Sequence, residues 1–119
     1  TAKLRPQYAS MEEFVGHGIG EVFHAPPWII HTENHNMAKM VGAKRMKPGM
    51  TFTIEPVVML HGSNSVHCLE DKWTTLTNDK TFSAQFEHTL LITETGVDVL
   101  TARRNEPQSY LHTKQNNKS

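Results

Sequence analysis

The sequence predicts a single small domain in which short β-strands, separated by turns, predominate. Three observations lead to this prediction. The chain has 119 residues, which is enough for one domain. Apolar and polar residues alternate in the segment 50–56, as they do in a strand with one buried face. Further strand-like segments follow and are separated by turn residues, at 73–77, 81–92 and 97–100.

Residues 1–13 are predicted to form an irregular N-terminal segment. Within it, Ser10 and Glu13 have capping-box spacing, which favours the start of a short helix. The chain begins with Thr1 rather than methionine, and we therefore expect it to be part of a longer polypeptide. Residues 26–30 are predicted to be extended, because residues before proline avoid the helical region. Residues 31–43 are predicted to be a polar connection of poor regularity.

Three glycines surround a histidine in the segment Gly16-His17-Gly18-Ile19-Gly20. Glycine lets other groups approach the main chain closely, so His17 is expected where the backbone is bent or crowded. Neutral imidazole is also the commonest metal ligand. A glycine-rich turn with a surface histidine is the alternative. A dinucleotide-binding loop is excluded, because Pro26 and Pro27 follow too soon for the helix that such a loop requires.

A turn at Lys47-Pro48-Gly49 is predicted to lead into the alternating strand that ends near Glu55 and Pro56. Proline cannot donate to a strand ladder, so Pro56 is expected to end the pairing or to mark a bulge. A second glutamate, Glu87, is predicted on a polar strand face. A solvated sheet face would explain both glutamates. Alternatively, His17, Glu55 and Glu87 supply an imidazole and two carboxylates, a donor set that suits zinc, manganese, iron or cobalt.

The charge balance excludes some classes of partner. Lys plus Arg and Asp plus Glu each number 12, so no net field favours nucleic acid or an anionic membrane. No apolar run approaches the length of about 18 residues that a membrane helix requires. The single cysteine, Cys68, is expected to be a free thiol in or near a loop. A chain with one cysteine cannot form an internal disulfide, which fits a reducing compartment. We therefore predict a cytoplasmic location.

Three blocks of the sequence resemble the C-terminal half of a type I methionine aminopeptidase, in the order and with the separations of that family. They are Gly16-His17-Gly18-Ile19-Gly20 with Phe23-His24, then 52–56, then 83–89. The resemblance implies a pita-bread fold of the α/β (α+β) class, with a mainly antiparallel sheet, for residues 14–102. A polar tail follows at 103–119. It also implies removal of the initiator methionine from nascent proteins, with the N-terminal methionine of those proteins as substrate.

The resemblance further implies a role for six residues. His17, Glu55 and Glu87 match ligands of two divalent ions, which are cobalt, manganese, iron or zinc. His24 matches a histidine that contacts the substrate, and Glu55 is the expected proton acceptor. Phe23 and Trp73 match positions that line the pocket for the methionine side chain, although core packing would equally explain two aromatic residues.

The family site has two further aspartate ligands, which belong to the N-terminal half and have no counterpart in this sequence. We therefore expect the missing half to be a partner of this chain. Two other functions remain open, a non-catalytic binding module of the same fold and a proline-directed peptidase of the same architecture.

Overall fold

The computed structural model describes residues 8–33, 35–42, 45–60 and 65–105. In that part of the chain there are ten short strands and one short helix, and every strand pair is antiparallel. In chain order they are β1 (Ala9–Ser10), β2 (Gly16–Gly18), β3 (Ala25–Ile29), α1 (His35–Met40), β4 (Thr51–Ile54), β5 (Val57–Met59), β6 (Val66–Cys68), β7 (Thr75–Thr77), β8 (Ser83–Gln85), β9 (His88–Ile92) and β10 (Val97–Val99).

The largest sheet has five strands in the order β10-β9-β4-β2-β3. Its central strand, β4, pairs with β9 from Thr51 opposite Leu91 to Ile54 opposite His88. The alternation in the sequence correctly predicted a strand, but not a single buried face, because Phe52 is 1% exposed and its neighbour Thr53 on the opposite face is fully buried. The predicted strand over 97–100 is confirmed as β10, which pairs with β9.

The turn that leads into β4 is confirmed. The N–H of Met50 donates to the carbonyl oxygen of Lys47 at 3.1 Å, and Gly49 has a φ of +87°. Pro48 precedes Gly49, and this is the arrangement that a type II turn requires, because only glycine adopts such a φ without strain. The turn therefore fixes where β4 begins.

A second sheet has three strands in the order β1-β5-β8. Its buried side includes Met11 (2% exposed) and Met59 (fully buried). The chain passes from the first sheet to the second at Glu55 and Pro56, between the end of β4 and the start of β5. The prediction that Pro56 ends the pairing of this strand is thus confirmed.

The expected helix near Ser10 is wrong. Ser10 instead pairs with Val58 in β5, and the N–H of Met11 donates to the carbonyl oxygen of Val57 at 2.9 Å. Burial of Met11 and these cross-strand hydrogen bonds outweigh the local capping signal. The segment at 81–92 is also not one strand, because β8 and β9 are separated at residues 86 and 87 and belong to different sheets.

The connection at 31–43 is more regular than predicted, since it contains α1. After this helix Gly42 has a φ of +65°, and its N–H donates to the carbonyl oxygen of Lys39 at 3.2 Å. A glycine in this conformation is a common way to end a helix. Predictions for residues 1–7 and for the tail from 106 onward lie outside the described residues.

A separate two-stranded sheet consists of β6 and β7. The loop between them, residues 69–74, is held by Asp71, whose carboxylate accepts hydrogen bonds from the backbone N–H groups of Trp73 (2.9 Å) and Thr74 (2.8 Å) and from the Thr74 hydroxyl. These hydrogen bonds lower the pKa of Asp71, and the one from the Thr74 hydroxyl has the largest effect. The exposed, unpaired thiol of Cys68 ends β6.

Candidate metal centre and substrate cavity

The two glycines beside His17 are required by close backbone contacts. A Cβ atom on Gly16 would overlap the carbonyl oxygen of Thr53, and one on Gly18 would overlap the carbonyl oxygen of Pro26. The pairing of β2 with β3 shifts register between His17 and Gly18. A bulge of this kind changes the direction of a side chain, and here it accompanies the burial of His17, which is 5% exposed.

Thr53 connects His17 to Glu55. Its hydroxyl accepts a hydrogen bond from the backbone N–H of His17 at 3.0 Å and donates one to Oε1 of Glu55 at 2.8 Å. Thr53 is fully buried, so these partners satisfy a hydroxyl that water does not reach. The threonine therefore holds the glutamate carboxylate beside the histidine.

The side chains of His17 and Glu55 are in direct contact. Nε2 of His17 lies 3.2 Å from Oε1 of Glu55, and the two side chains are 6% and 18% exposed. Nδ1 of His17 lies 3.1 Å from the carbonyl oxygen of Gly18. When Nδ1 carries the proton and donates to this carbonyl, Nε2 presents its lone pair to the carboxylate. A metal-binding histidine commonly has its other nitrogen engaged in this way.

His31 supports Glu55 from the main-chain side. The backbone N–H of Glu55 donates to Nε2 of His31 at 3.1 Å, which requires that this nitrogen be unprotonated. Burial lowers the pKa of His31, and the nearby Glu55 carboxylate partly opposes that shift. The contact between His31 and Glu55 is a finding of the structure.

Two further rings, those of Phe23 and His24, pack against the ring of His17. The ring of His24 lies 4.4 Å from that of His17 and 4.2 Å from that of Phe23, measured between centroids, with the edge of one ring towards the face of the other. Phe23 is itself 5.8 Å from His17. Phe23 is 59% exposed, so it is not part of a closed core in this structure.

A cavity of about 550 Å³ opens beside the cluster. Four of the six residues to which the resemblance assigns a role line this cavity: His24, Glu55, Trp73 and Glu87. Apolar side chains form much of the remaining wall, including Met11. The cavity thus combines an apolar surface with acidic and imidazole groups, as small-molecule sites commonly do. His17 lies behind Glu55, and Phe23 lies beside His24 without lining the cavity.

Glu87 is less closely associated with the other two expected ligands. It lies in the break between β8 and β9, is exposed, and accepts a hydrogen bond from the side-chain amide of Gln85 at 3.4 Å. Among the residues that the structure describes, no three His, Cys, Asp or Glu side chains converge closely enough to hold an ion. The structure therefore brings His17 and Glu55 together and places Glu87 on the cavity that Glu55 also lines.

The strand register nevertheless relates the two glutamates. In β4 and β9, Ile54 is opposite His88, and in β5 and β8, Val57 is opposite Gln85. The two ladders have the same register, so the pairing of either one can be continued across the break between them. This continuation places Glu55 opposite Glu87. Like charges at opposing positions destabilise a sheet unless a cation compensates them. The donor set of His17, Glu55 and Glu87 accordingly fits a divalent cation.

Comparison with known proteins identifies the family. Residues 2–94 match the sequence profile of metallopeptidase family M24. The chain belongs to this family. Metallopeptidases of this family use divalent metal ions, in agreement with the donor set described above. No helix in the described part of this M24 chain is long and apolar enough to cross a membrane.

The M24 chain is similar to several methionine aminopeptidases. It is 43% identical over 99 residues to that of Buchnera aphidicola subsp. Schizaphis graminum and 38% identical over 99 residues to that of Escherichia coli K12. Each alignment covers 83% of this chain and 35% of the relative. The chain therefore spans about a third of the length of these relatives.

Solved structures agree with this relationship. The methionine aminopeptidase of Rickettsia prowazekii superposes with a TM-score of 0.67 at 37% identity, over 81% of this chain and 37% of the other. The enzyme of Thermotoga maritima gives a TM-score of 0.66 at 36% identity, over 82% of this chain and 36% of the other. The predicted pita-bread fold with a mainly antiparallel sheet is confirmed.

Two residues of the site were not identified from the sequence. In the sequence Thr53 is one polar residue of the alternating segment 50–56, although its position between a buried strand residue and Glu55 is a usable signal. His31 gave no such signal, because its contact with Glu55 spans 24 positions of the chain. Such contacts depend on how β3 leads into the following connection, which local patterns do not determine.

Proposed function

We propose that this chain is the metal-binding C-terminal part of a methionine aminopeptidase, which removes the initiator methionine from nascent proteins. One observation carries the proposal. The buried His17 contacts Glu55 at 3.2 Å, and the carboxylate of Glu55 lines the same cavity as His24 and Glu87. The identity to methionine aminopeptidases, at 38–44%, supports this choice among metallopeptidase activities.

The proposed metal ligands of this chain are His17, Glu55 and Glu87. Ligands that each bond one ion at about 2.1 Å lie about 3 Å apart, and the distance between His17 and Glu55 is in this range. Two divalent ions are proposed, with cobalt, manganese, iron and zinc as candidates. When bound, such ions lower the pKa of water and polarise the scissile carbonyl group.

The side chains of the chain have separate roles in the proposed reaction. Glu55 accepts a proton from the attacking water and transfers it to the leaving amine. The Thr53 hydroxyl keeps the Glu55 carboxylate in place through the 2.8 Å hydrogen bond. His24, on the cavity wall, donates a hydrogen bond to the peptide group of the substrate and stabilises charge that develops during the reaction.

Methionine selectivity is proposed to depend on the apolar part of the cavity. Trp73 lines it and is 75% exposed, so its indole is available to an incoming side chain. Phe23 is also exposed and contacts His24, and a substrate that binds beside His24 would meet it. The remaining part of the pocket is proposed to come from the segment that this chain lacks relative to its relatives.

That segment is also proposed to complete the metal site with two aspartates. The chain spans about 35% of the Escherichia coli relative, and only one histidine and two glutamates of the expected ligands lie in it. We call the chain together with this remaining segment the complete enzyme. Its proposed location is the cytoplasm, where nascent proteins are available to it.

A reconstitution experiment tests the proposal. The complete enzyme, loaded with cobalt or manganese, is expected to release methionine from a methionyl tripeptide and to stop when a chelator is added. The 119-residue chain alone is expected to leave the peptide uncut, and addition of the remaining segment is expected to restore cleavage. Mass spectrometry of the products measures both results.

Three outcomes would contradict this reading. Ion binding without turnover by the complete enzyme would indicate a non-catalytic binding module. Faster release of residues that precede proline than of methionine would indicate a proline-directed peptidase. Chelator-sensitive cleavage by the purified 119-residue chain, free of any longer enzyme, would show that the remaining segment is not required.

A further inference from the structure

One lysine lines a cavity whose other charged groups are acidic or imidazole. Lys72 lies in the loop between β6 and β7, whereas Glu55 and Glu87 lie where the two larger sheets separate. No other Lys or Arg of the described residues lines this cavity. In the described part of the chain, no carboxylate pairs with the Lys72 ammonium. The ammonium is therefore available to a ligand in the cavity.

The backbone at Lys72 is in a conformation that lysine does not favour. Its φ is +60°, in the left-handed region where a Cβ atom is unfavourable and where glycine or asparagine is usual. The surrounding loop imposes this conformation. The N–H of Lys72 donates to the carbonyl oxygen of Leu69 at 3.0 Å, and Asp71 accepts from the two following N–H groups, as described above.

A strained residue that lines a functional cavity leads to a hypothesis of function. A glycine at this position would relieve the strain and would leave the cavity without a cation. The lysine adds an ammonium to the loop next to Trp73, which is itself proposed to contact the methionine side chain. The part of a peptide beyond the methionine must leave the cavity. The exposed loop 69–74 forms one side of that cavity through Lys72 and Trp73.

We propose that Lys72 is a specificity-determining residue that binds an acidic side chain of the substrate downstream of the methionine. This inference depends on the proposed function, since it assumes a methionyl peptide in the cavity. The expected preference is modest, because an ion pair with an exposed lysine changes affinity by about two- to fivefold. It is also expected to decrease as the salt concentration rises.

Matched peptides measure the preference directly. The complete enzyme is assayed with Met-Ala-Glu-Ala-amide and Met-Ala-Gln-Ala-amide, which differ in one charge and have no terminal carboxylate. For the wild type, kcat/KM is expected to be about two- to fivefold higher for the glutamate peptide, mainly through KM. Lys72→Asn is expected to bring the ratio to about one, and Lys72→Glu to reverse the preference.

Lys80 provides a matched control. It also has a φ of +60°, but it lies in the turn after β7 and does not line the cavity. Lys80→Asn changes the net charge and the backbone conformation in the same way as Lys72→Asn, and is expected to keep the preference for the glutamate peptide. Equal loss of the preference in both variants would assign it to net charge and would overturn the role of Lys72.

The remaining outcomes separate this inference from the proposed function. If the complete enzyme cleaves neither peptide, the proposed function is wrong, and the role of Lys72 is wrong with it. If it cleaves both peptides and Lys72→Asn keeps the wild-type ratio, only the role of Lys72 is wrong. Lys72→Gly, which suits the backbone at least as well, replaces Lys72→Asn if the asparagine variant does not fold.

Discussion

Replacement of Thr53 by valine tests the connection between His17 and Glu55. Valine has nearly the same shape as threonine but lacks the hydroxyl that both residues use. The buried N–H of His17 would lose its partner, at a cost of about 1–3 kcal/mol, and a hydrogen bond to a charged group contributes about 1.5–3 kcal/mol. The two costs arise from the same hydroxyl and are therefore not additive. We expect a total loss of stability of about 2–4 kcal/mol, which is less than their sum.

The matched control is Thr53→Ser, which keeps the hydroxyl and removes only a methyl group, at a cost of about 1 kcal/mol. Urea unfolding of the complete enzyme measures both variants. Calorimetric titration with manganese is expected to show affinity about 10- to 100-fold weaker in Thr53→Val, because its Glu55 carboxylate is no longer held in place. Equal stability and equal manganese affinity in the two variants would refute this account of the site.

Three further predictions concern other residues of the site and its loop. Glu55→Ala is expected to abolish turnover of the complete enzyme. His24→Ala is expected to lower kcat strongly while the metal content stays near normal. Loss of metal from the His24→Ala enzyme would instead indicate that His24 is a ligand. Trp73→Ala is expected to weaken cleavage of methionyl peptides more than metal binding, and unchanged kinetics at intact metal content would leave Trp73 without a role in the pocket. Because hydrogen bonds lower the pKa of Asp71, its carboxylate stabilises the loop fully above the ordinary value of 3.8, and this stabilisation is lost as the pH falls through the lowered pKa. An NMR titration is expected to place its midpoint below 3.8 and to show that Thr74→Val moves the midpoint upward; equal midpoints would contradict the hydrogen-bond explanation.

Much of the larger sheet was predictable because its signals are local. The alternation around Phe52 correctly indicates strand β4, although Thr53 on its other face is buried as well, and Gly49 reflects a turn that requires a positive φ. The failure at Ser10 has the opposite cause. Its capping signal is local, but the conformation of the segment depends on the pairing of Ser10 with Val58, which is 48 positions away. Tertiary contacts of this kind override a weak helix signal.

The segment at 81–92 shows a partial success. It was predicted as one strand, and the structure divides it between two sheets at residues 86 and 87. The single register shared by β4 with β9 and by β5 with β8 explains why it resembles one strand in sequence. Both partners change sheets together, at Pro56 on one side and at Phe86 opposite it. A pattern of period two continues through such a break and does not reveal it.

The same break gives a physical reason why a bound cation would be favoured at this place. Pro56 has no N–H to donate, so the ladder opens directly after Glu55, and the opposing glutamate, Glu87, follows the same register. Two carboxylates at opposing positions repel each other, and the close approach of β2, which Gly16 and Gly18 permit, adds a buried imidazole instead of an arginine or lysine. A divalent cation bound among these side chains would compensate both negative charges. The glycines, the proline and the glutamates are therefore parts of one arrangement, and its donor set fits a divalent cation.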